Sequence, residues 1–176
     1  MAVLDIVTYP NKILKEVSKP VERFDEELHK LLDDMYETML KEGGVGLAAI
    51  QVAVPRRALI IDLGDEEGKQ SKDTLIEVIN PEFLEWEGTQ KDTEGCLSVP
   101  EYYDEVERYK KVKVKFFDRY GKEHIMDAEG LLSVAFQHET DHLDGHLFIE
   151  RLDYIRRKKF EKEWKKLLKQ KQKRKK

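Results

Sequence analysis

Residues 129–145, EGLLSVAFQHETDHLDG, contain the pattern around which this chain is organised: two histidines four positions apart in a stretch of helical character. On an α-helix, positions i and i+4 lie one above the other on the same face, so His138 and His142 can bind one metal ion from the same side. Glu139 is adjacent and can reach a water molecule on that metal. The stretch therefore predicts a metal-binding helix at about 129–143.

Two histidines are too few for a catalytic metal centre, which usually has three protein ligands and one open position. Cys96 is the only cysteine of the chain, and it lies in the polar segment 94–98 (EGCLS), not in an apolar run. A thiolate with two imidazoles is a soft donor set that suits both Zn²⁺ and Fe²⁺. Downstream, Glu150 is a weaker candidate for the third ligand. His146 is weaker still, because Gly145 ends the helix before it.

A third segment, residues 44–51 (GVGLAAIQ), combines glycines and small apolar residues with one polar side chain at its end. Taken alone, it predicts a tight turn that leads into a buried strand. Its small residues would also let the backbone approach a ligand closely. Gln51 is the candidate for a specific polar contact there.

The length of 176 residues allows one domain of ordinary size. We expect a single catalytic domain at 1–169 and a basic tail at 170–176 that frays. Periodicity and turn residues predict a helix from about Asp25, strands at 58–63, 75–87 (interrupted at Asn80-Pro81), 112–116 and 124–126, and a last helix at 153–169. This order indicates an α+β fold, with an antiparallel sheet packed around the central metal-binding helix and helices at both ends.

Charge is distributed unevenly. Residues 156–176 contain 13 Lys/Arg and two Glu, whereas the rest of the chain has 19 basic and 34 acidic residues. Helical spacing of the apolar residues in this basic segment predicts an amphipathic helix docked on the body by Phe160 and Trp164, with Leu167 and Leu168 on the same stripe. The alternative is that the tail is only a solvated end that keeps the protein soluble.

No stretch approaches the roughly 20 apolar residues of a membrane helix, and the first residues lack the pattern of a secretory signal. With a lone cysteine, this predicts a cytoplasmic protein in a reducing compartment, without a membrane partner. We also expect no DNA partner.

Together, the segments 44–51, 94–98 and 138–142 resemble, in that order, the three motifs of the peptide deformylase family, in its bacterial type with a C-terminal helix. The resemblance implies a metal-dependent hydrolase that removes the formyl group from the N-terminal formyl-methionine of newly synthesised proteins. It implies one Fe²⁺ per chain, with Zn²⁺, Ni²⁺ or Co²⁺ as substitutes in preparations. By resemblance, the metal ligands are Cys96, His138 and His142.

The resemblance also implies the roles of the catalytic groups. Glu139 would accept a proton from water and later protonate the leaving amine. The Gln51 side chain and the backbone N–H of Leu97 would stabilise the oxyanion. Glu94 and Asp141 would orient the ligands from behind, with Arg108 as an ionic partner or as half of a surface pair.

Helix geometry adds a candidate substrate pocket. Leu131, Val134 and Ala135 fall on the face of His138, where they form an apolar wall for an unbranched side chain such as methionine. Val45 and Gly46, from the glycine segment, would close that pocket. For Leu131, ordinary core packing is an equal alternative. Tyr103 stands where some bacterial members of the family have an arginine that contacts the peptide backbone.

Two other functions compete with this hypothesis. A zinc metalloprotease of the H-E-x-x-H type would need a third His or Glu ligand downstream, and Cys96 in its motif argues against it. A non-catalytic polyanion-binding module would leave all three motifs without a role. The basic helix itself suggests a contact with the ribosome, where formyl-methionyl nascent peptides emerge.

Overall fold

The computed structural model describes residues 2–174. Within them, five strands form one antiparallel sheet in the order β1-β2-β3-β4-β5, accompanied by three α-helices and three 3₁₀ helices. The strands are β1 Gly46–Ala48, β2 Ala58–Ile61, β3 Ile76–Cys96, β4 Val99–Phe117 and β5 Glu123–Glu129. The helices are α1 Glu26–Lys41, α2 Leu131–Leu143 and α3 Tyr154–Arg174, and the 3₁₀ helices are Lys12–Lys15, Ala49–Val52 and Phe148–Arg151. The predicted α+β fold is confirmed. Among the described residues, no helix combines the length and the apolar character that a membrane crossing requires.

Helix α1 begins where its capping residue predicts. The Asp25 side chain accepts a hydrogen bond from the backbone N–H of Leu28, which satisfies one of the donors left free in the first turn. The apolar stripe of the helix, including Leu32, Met35 and Met39, is buried against β1, β2 and the 3₁₀ helix Ala49–Val52. Helix α1 therefore covers the glycine segment from one side.

The hairpin of β3 and β4 is much longer than predicted, because β3 continues to Cys96. Most residues between 87 and 95 are polar, so their strand conformation comes from pairing with β4 and not from an apolar pattern. The expected interruption at Asn80 is a bulge, where the register shifts and Asn80 takes a φ of 50°. The hairpin ends with Cys96 opposite Val99, which places the thiol at the end of a rigid strand.

Helix α2 starts at Leu131, two residues later than predicted, because Glu129 still pairs with Lys111 in the sheet. Gly130, at a φ of 62°, turns the chain from β5 into the helix. The helix ends at Leu143, as predicted, and Asp144 is its C-cap. The helix packs across β1, β2, β4 and β5, so it is central to the fold. This packing holds the two histidines in a fixed place relative to the end of β3.

Helix α3 docks through its aromatic residues, as predicted. Phe160 and Trp164 are buried, with ring centroids 5.5 Å and 5.3 Å from that of Tyr9, and Phe160 also lies 4.7 Å from the Tyr102 ring. Leu167 is half-buried beside them, but Leu168 is exposed and does not belong to the docked stripe.

The same helix extends beyond the predicted end at 169, since its last turns contain strong helix formers and neither Gly nor Pro. It is described to Arg174, inside the tail 170–176 that we expect to fray. Residues 175 and 176 of that tail lie outside the described residues, so the fraying of the tail end stays a prediction.

Candidate active site

The end of β3 and one face of α2 bring together a thiol and two imidazoles. One ligand atom each from Cys96, His138 and His142 lie within 4.8 Å of one another. His142 Nε2 lies 3.3 Å from His138 Nε2 and 3.5 Å from Cys96 Sγ. Three soft donors that converge in this way fit a Zn²⁺ or Fe²⁺ ion, so the residues suit the metal that the motifs imply.

A buried ion pair orients His138. Its Nδ1 donates a hydrogen bond to Glu94 Oε1 at 2.8 Å, which leaves Nε2 free to bind a metal. Arg108 in turn donates to both carboxylate oxygens of Glu94, at 2.8 Å and 2.9 Å. Burial opposes ionisation of Glu94, but the hydrogen bonds from Arg108 and His138 outweigh it and lower its pKa. The Arg108 side chain is only 2% exposed, so the alternative of a surface pair is wrong.

His142 is fully buried. Burial lowers its pKa well below the usual range, so the ring is neutral, which is the form that binds metals. Among the described residues, its Nδ1 has no hydrogen-bond partner.

Glu139 lies beside the ligand group, by which we mean Cys96, His138 and His142. Among the described residues, no arginine or lysine donates a hydrogen bond to its carboxylate. Its Oε1 is 3.8 Å from His138 Nε2, and its Oε2 is buried without a hydrogen-bond partner among the described residues. Burial raises the pKa of Glu139 to about 7, against the opposing charge of His138. A Cβ at Gly46 would lie 2.8 Å from Glu139 Oε1, so a larger residue there would displace the Glu139 carboxyl group. The carboxyl group is therefore placed to exchange a proton near neutral pH.

Gln51 lies in the 3₁₀ helix Ala49–Val52, which follows the short strand β1, and not in the buried strand that the segment alone predicts. Its Nε2 donates to Ser98 Oγ at 3.0 Å and to Cys96 Sγ at 3.5 Å. Its Oε1 accepts from the backbone N–H of Ala48 at 2.9 Å. These contacts fix the amide with its donor side towards the ligand group.

Comparison with known proteins agrees with this geometry. A family model described as polypeptide deformylase matches residues 3–158. A peptide deformylase from Nautilia profundicola is 87% identical, and the match covers 98% of this chain and 99% of that protein. The chain belongs to the peptide deformylase family. A second relative, a peptide deformylase from Wolinella succinogenes, is 58% identical over 93% of this chain and 96% of its own.

A crystal structure of a peptide deformylase from Legionella pneumophila matches with a TM-score of 0.87 and 40% identity, over 97% of this chain and 98% of that chain. The fold and the family predicted from the three motifs are thereby confirmed. The deformylase family removes N-formyl groups from nascent peptides, and this is the enzymatic activity of the chain.

The competing ligands do not take part in the deformylase site. His146 Nδ1 and Glu150 Oε2 lie 3.1 Å apart and pair with each other, with the His146 ring largely exposed. The third donor beside the two histidines is Cys96, so the site lacks the downstream His or Glu that the protease hypothesis needs.

The residues predicted to form the apolar wall differ in their exposure. Val134 is buried and Ala135 half-buried, whereas Leu131 is 66% exposed, so the alternative of core packing for Leu131 is wrong. Val45 is exposed as well. Tyr103 is exposed, and its ring covers Gly95 so closely that a Cβ there would overlap it.

Two parts of the deformylase site escaped the sequence analysis. Ser98 is fully buried and accepts the hydrogen bond that holds Gln51; its position inside the EGCLS segment was the available signal. Arg151 contacts Asp141 at 2.6 Å and 2.7 Å, and no local pattern marks it. Leu97, whose backbone N–H is a predicted donor, is half-buried and would touch a Cβ placed at Gly44.

Proposed function

We propose that this member of the family binds one Fe²⁺ per chain through Cys96, His138 and His142. The observation that carries the proposal is the convergence of the three donor atoms within 4.8 Å. Zn²⁺, Ni²⁺ and Co²⁺ fit the same donors and can replace Fe²⁺ in preparations. When bound, the metal supplies a Lewis acid that makes hydroxide available near neutral pH.

In the proposed reaction, water adds to the formyl carbon, the bond between that carbon and the methionine nitrogen breaks, and formate and a free amine leave. Glu139 accepts the proton of the water and passes it to the departing nitrogen. Two observations support this role: Glu139 Oε2 has no hydrogen-bond partner in the described part of the chain, and Glu139 Oε1 lies beside His138.

The oxyanion that forms on the formyl group needs donors aimed at it before the reaction begins. We assign this task to the Gln51 amide and the backbone N–H of Leu97. The two hydrogen bonds that Gln51 makes to Ser98 and Ala48 support the assignment, because they leave its amide little freedom to turn away.

The substrate is an N-formyl-methionyl nascent peptide. We propose that its methionine side chain lies against an apolar wall of five residues beside the ligand group: Val45, Gly46, Leu131, Val134 and Ala135. The exposure of Val45 and Leu131 supports this, since residues that line an open cleft remain accessible without substrate. Glu94 and Asp141 do not bind the metal in this proposal and serve to orient its ligands.

The experiment that tests this function combines metal analysis with a formate-release assay. Protein loaded with Fe²⁺ without oxygen is expected to hold one ion per chain and to deformylate a formyl-methionyl tripeptide, with the acetyl-methionyl tripeptide as the control. Cys96→Ser should sharply lower both metal content and turnover, because a hydroxyl replaces the soft thiolate. A Cys96→Ser protein with full metal content and full activity would rule out the ligand assignment.

We also propose that the basic face of α3 contacts ribosomal RNA, where the substrate emerges. Its lysines are exposed along the helix and face away from the docked aromatic residues: Lys158, Lys162, Lys165, Lys166 and Lys169. Contacts of lysine with backbone phosphates would make such binding strongly dependent on salt. Nascent chains are made in the cytoplasm, which is therefore the proposed place of action.

A further inference from the structure

Arg151 makes a two-point contact with the motif residue that is not a ligand. Its Nε lies 2.6 Å from Asp141 Oδ2, and its Nη2 lies 2.7 Å from Asp141 Oδ1. Such a paired geometry fixes the plane of the carboxylate as well as its position. The Arg151 side chain is 47% exposed, so it forms the outer end of the contact.

From Asp141 the contacts continue inward without a gap. Arg108 Nη1 donates to Asp141 Oδ2 at 2.6 Å, and the other nitrogens of the same guanidinium hold Glu94. Glu94 accepts the hydrogen bond from His138 Nδ1. A row of hydrogen-bonded charges therefore runs from the protein surface to a proposed metal ligand, in the order Arg151, Asp141, Arg108, Glu94 and His138.

The row is balanced in charge, with two carboxylates and two guanidinium groups. Without Arg151, Arg108 would be the one guanidinium group that both carboxylates share, although its side chain is almost fully buried. Asp141 would lose two of its hydrogen bonds and gain rotational freedom. Arg108 would then be fixed by Glu94 alone, because Asp141 would be mobile. The hydrogen bonds from Arg108 to Glu94 would weaken as a result.

We propose that Arg151 is a positioning residue for the metal centre, which acts through Asp141, Arg108 and Glu94 on the orientation of His138. The inference rests on the proposed metal site. Arg151 touches neither the ligand atoms nor the substrate in this role. It closes the outer end of the row, and its planar, two-point contact is one that lysine cannot reproduce.

The test uses Co²⁺ as the probe, because its visible spectrum reports the arrangement of its ligands. Arg151→Ala is expected to bind Co²⁺ about tenfold more weakly than the unchanged protein, a loss typical for residues that orient a metal ligand. The visible band of the bound Co²⁺ should also shift. Arg151→Lys should fall between the two. Arg156→Ala is the matched control: Arg156 is also a surface arginine, 40% exposed, but its ion pairs are with Asp104, Glu105 and Asp153 and not with either carboxylate of the row.

A second comparison separates positioning from a general structural effect. If Arg151 acts through Asp141, Arg151→Ala should weaken Co²⁺ binding much less in an Asp141→Asn background than in the unchanged protein. Equal losses in the two backgrounds would overturn the proposal, since they would mean that the effect bypasses Asp141.

The outcomes also distinguish this inference from the function on which it rests. If the unchanged protein does not bind one Co²⁺ per chain, the proposed metal site itself is wrong. If it binds Co²⁺ and Arg151→Ala keeps both its affinity and its spectrum, only the role of Arg151 is overturned. The role of Arg151 is likewise overturned if Arg156→Ala weakens Co²⁺ binding as much as Arg151→Ala does.

Discussion

Glu94 and Glu139 are both buried glutamates within reach of His138, yet their environments push their pKa values in opposite directions. Glu94 has a guanidinium partner on both of its oxygens, which holds its pKa below the ordinary range in spite of burial. Glu139 has no such partner, and burial raises its pKa to about 7. These opposite shifts fit the roles that we propose, in which Glu94 orients a metal ligand and Glu139 carries a proton.

At this scale we predict that Glu139→Gln keeps the metal and loses most turnover. The amide preserves the shape of the side chain but cannot accept the proton, and general acid–base groups contribute about a hundredfold or more to rates. Metal content and the rate of formate release are measured on the same sample. Glu150→Gln, a glutamate outside the site, is the control and should behave like the unchanged protein. Loss of the metal from Glu139→Gln would show that this residue holds the site together instead.

Among the elements, both outer helices bury apolar side chains, but only α1 adds side-chain hydrogen bonds to the backbone of residues 2–4. Helix α1 binds the first residues of the chain by polar contacts: Asp34 accepts from the backbone N–H of Ala2 at 2.7 Å, and Thr38 from that of Leu4 at 2.8 Å. Helix α3 is held mainly by aromatic packing. The contribution of the Asp34 contact to stability should depend on pH, and that of the aromatic packing of α3 on the volume of the buried side chains.

For α1, we predict that Asp34→Asn lowers the free energy of unfolding at pH 7 by about 1.5 kcal/mol, the lower end of the usual contribution of a hydrogen bond to a charged group. The hydrogen bond from Lys30 lowers the pKa of Asp34 in the folded protein. Its contribution is therefore complete above the ordinary aspartate pKa, near 4, and is lost as the pH falls through the lower folded value.

Urea unfolding at pH 7 and at pH 3 measures this effect, and the difference between the variant and the unchanged protein should shrink at pH 3. Asp127→Asn, at an exposed position of β5, is the control and should have little effect at either pH. A difference for Asp34→Asn that is as large at pH 3 as at pH 7 would contradict an electrostatic anchor.

For α3, we predict that Phe160→Ala lowers the free energy of unfolding by about 3 kcal/mol or more, as is usual when a buried aromatic side chain is removed. Phe160 is almost completely buried between Tyr9, Tyr102 and Trp164. Ile155→Ala, on the exposed side of the same helix, should change stability by no more than about 0.5 kcal/mol. Equal effects of the two substitutions in urea unfolding would mean that the helix is not docked by its aromatic face.

Over the whole molecule, the acidic body and the basic end of the chain form two surfaces of opposite charge. The body alone would be repelled by a polyanion, whereas the 13 basic residues of 156–176 would be attracted to it. The docked aromatic residues of α3 turn the lysines outward, towards the ribosomal RNA contact that we propose.

We predict that deletion of residues 170–176 weakens co-sedimentation with ribosomes at low salt and leaves the deformylation rate on a free formyl-methionyl peptide unchanged. The deletion removes basic residues but none of the docked aromatic side chains. Raising the salt concentration should reduce the co-sedimentation of the full-length protein, because phosphate contacts release counterions. If truncated and full-length proteins co-sediment equally, the end of the chain is only a solvated tail.

Much of this protein follows from interactions between residues close in the chain. The i and i+4 spacing of His138 and His142 and the cap at Asp25 depend on neighbours within four positions, so the sequence alone predicts them. The order of the three motifs was sufficient to identify the family. The three proposed metal ligands could be predicted from residue type and motif: a lone thiol in a polar segment and two imidazoles on one helix face.

The rest depends on partners far apart in the chain, which only the tertiary structure brings together. The polar half of β3 is a strand because it pairs with β4, and Arg108 is buried because Glu94 and Asp141 meet it from two different elements. The contact between Arg151 and Asp141 forms only after the chain has left α2 and turned back in a 3₁₀ helix. Sequence periodicity carries no record of such contacts, because they are set by the packing of elements and not by the spacing of residues within one.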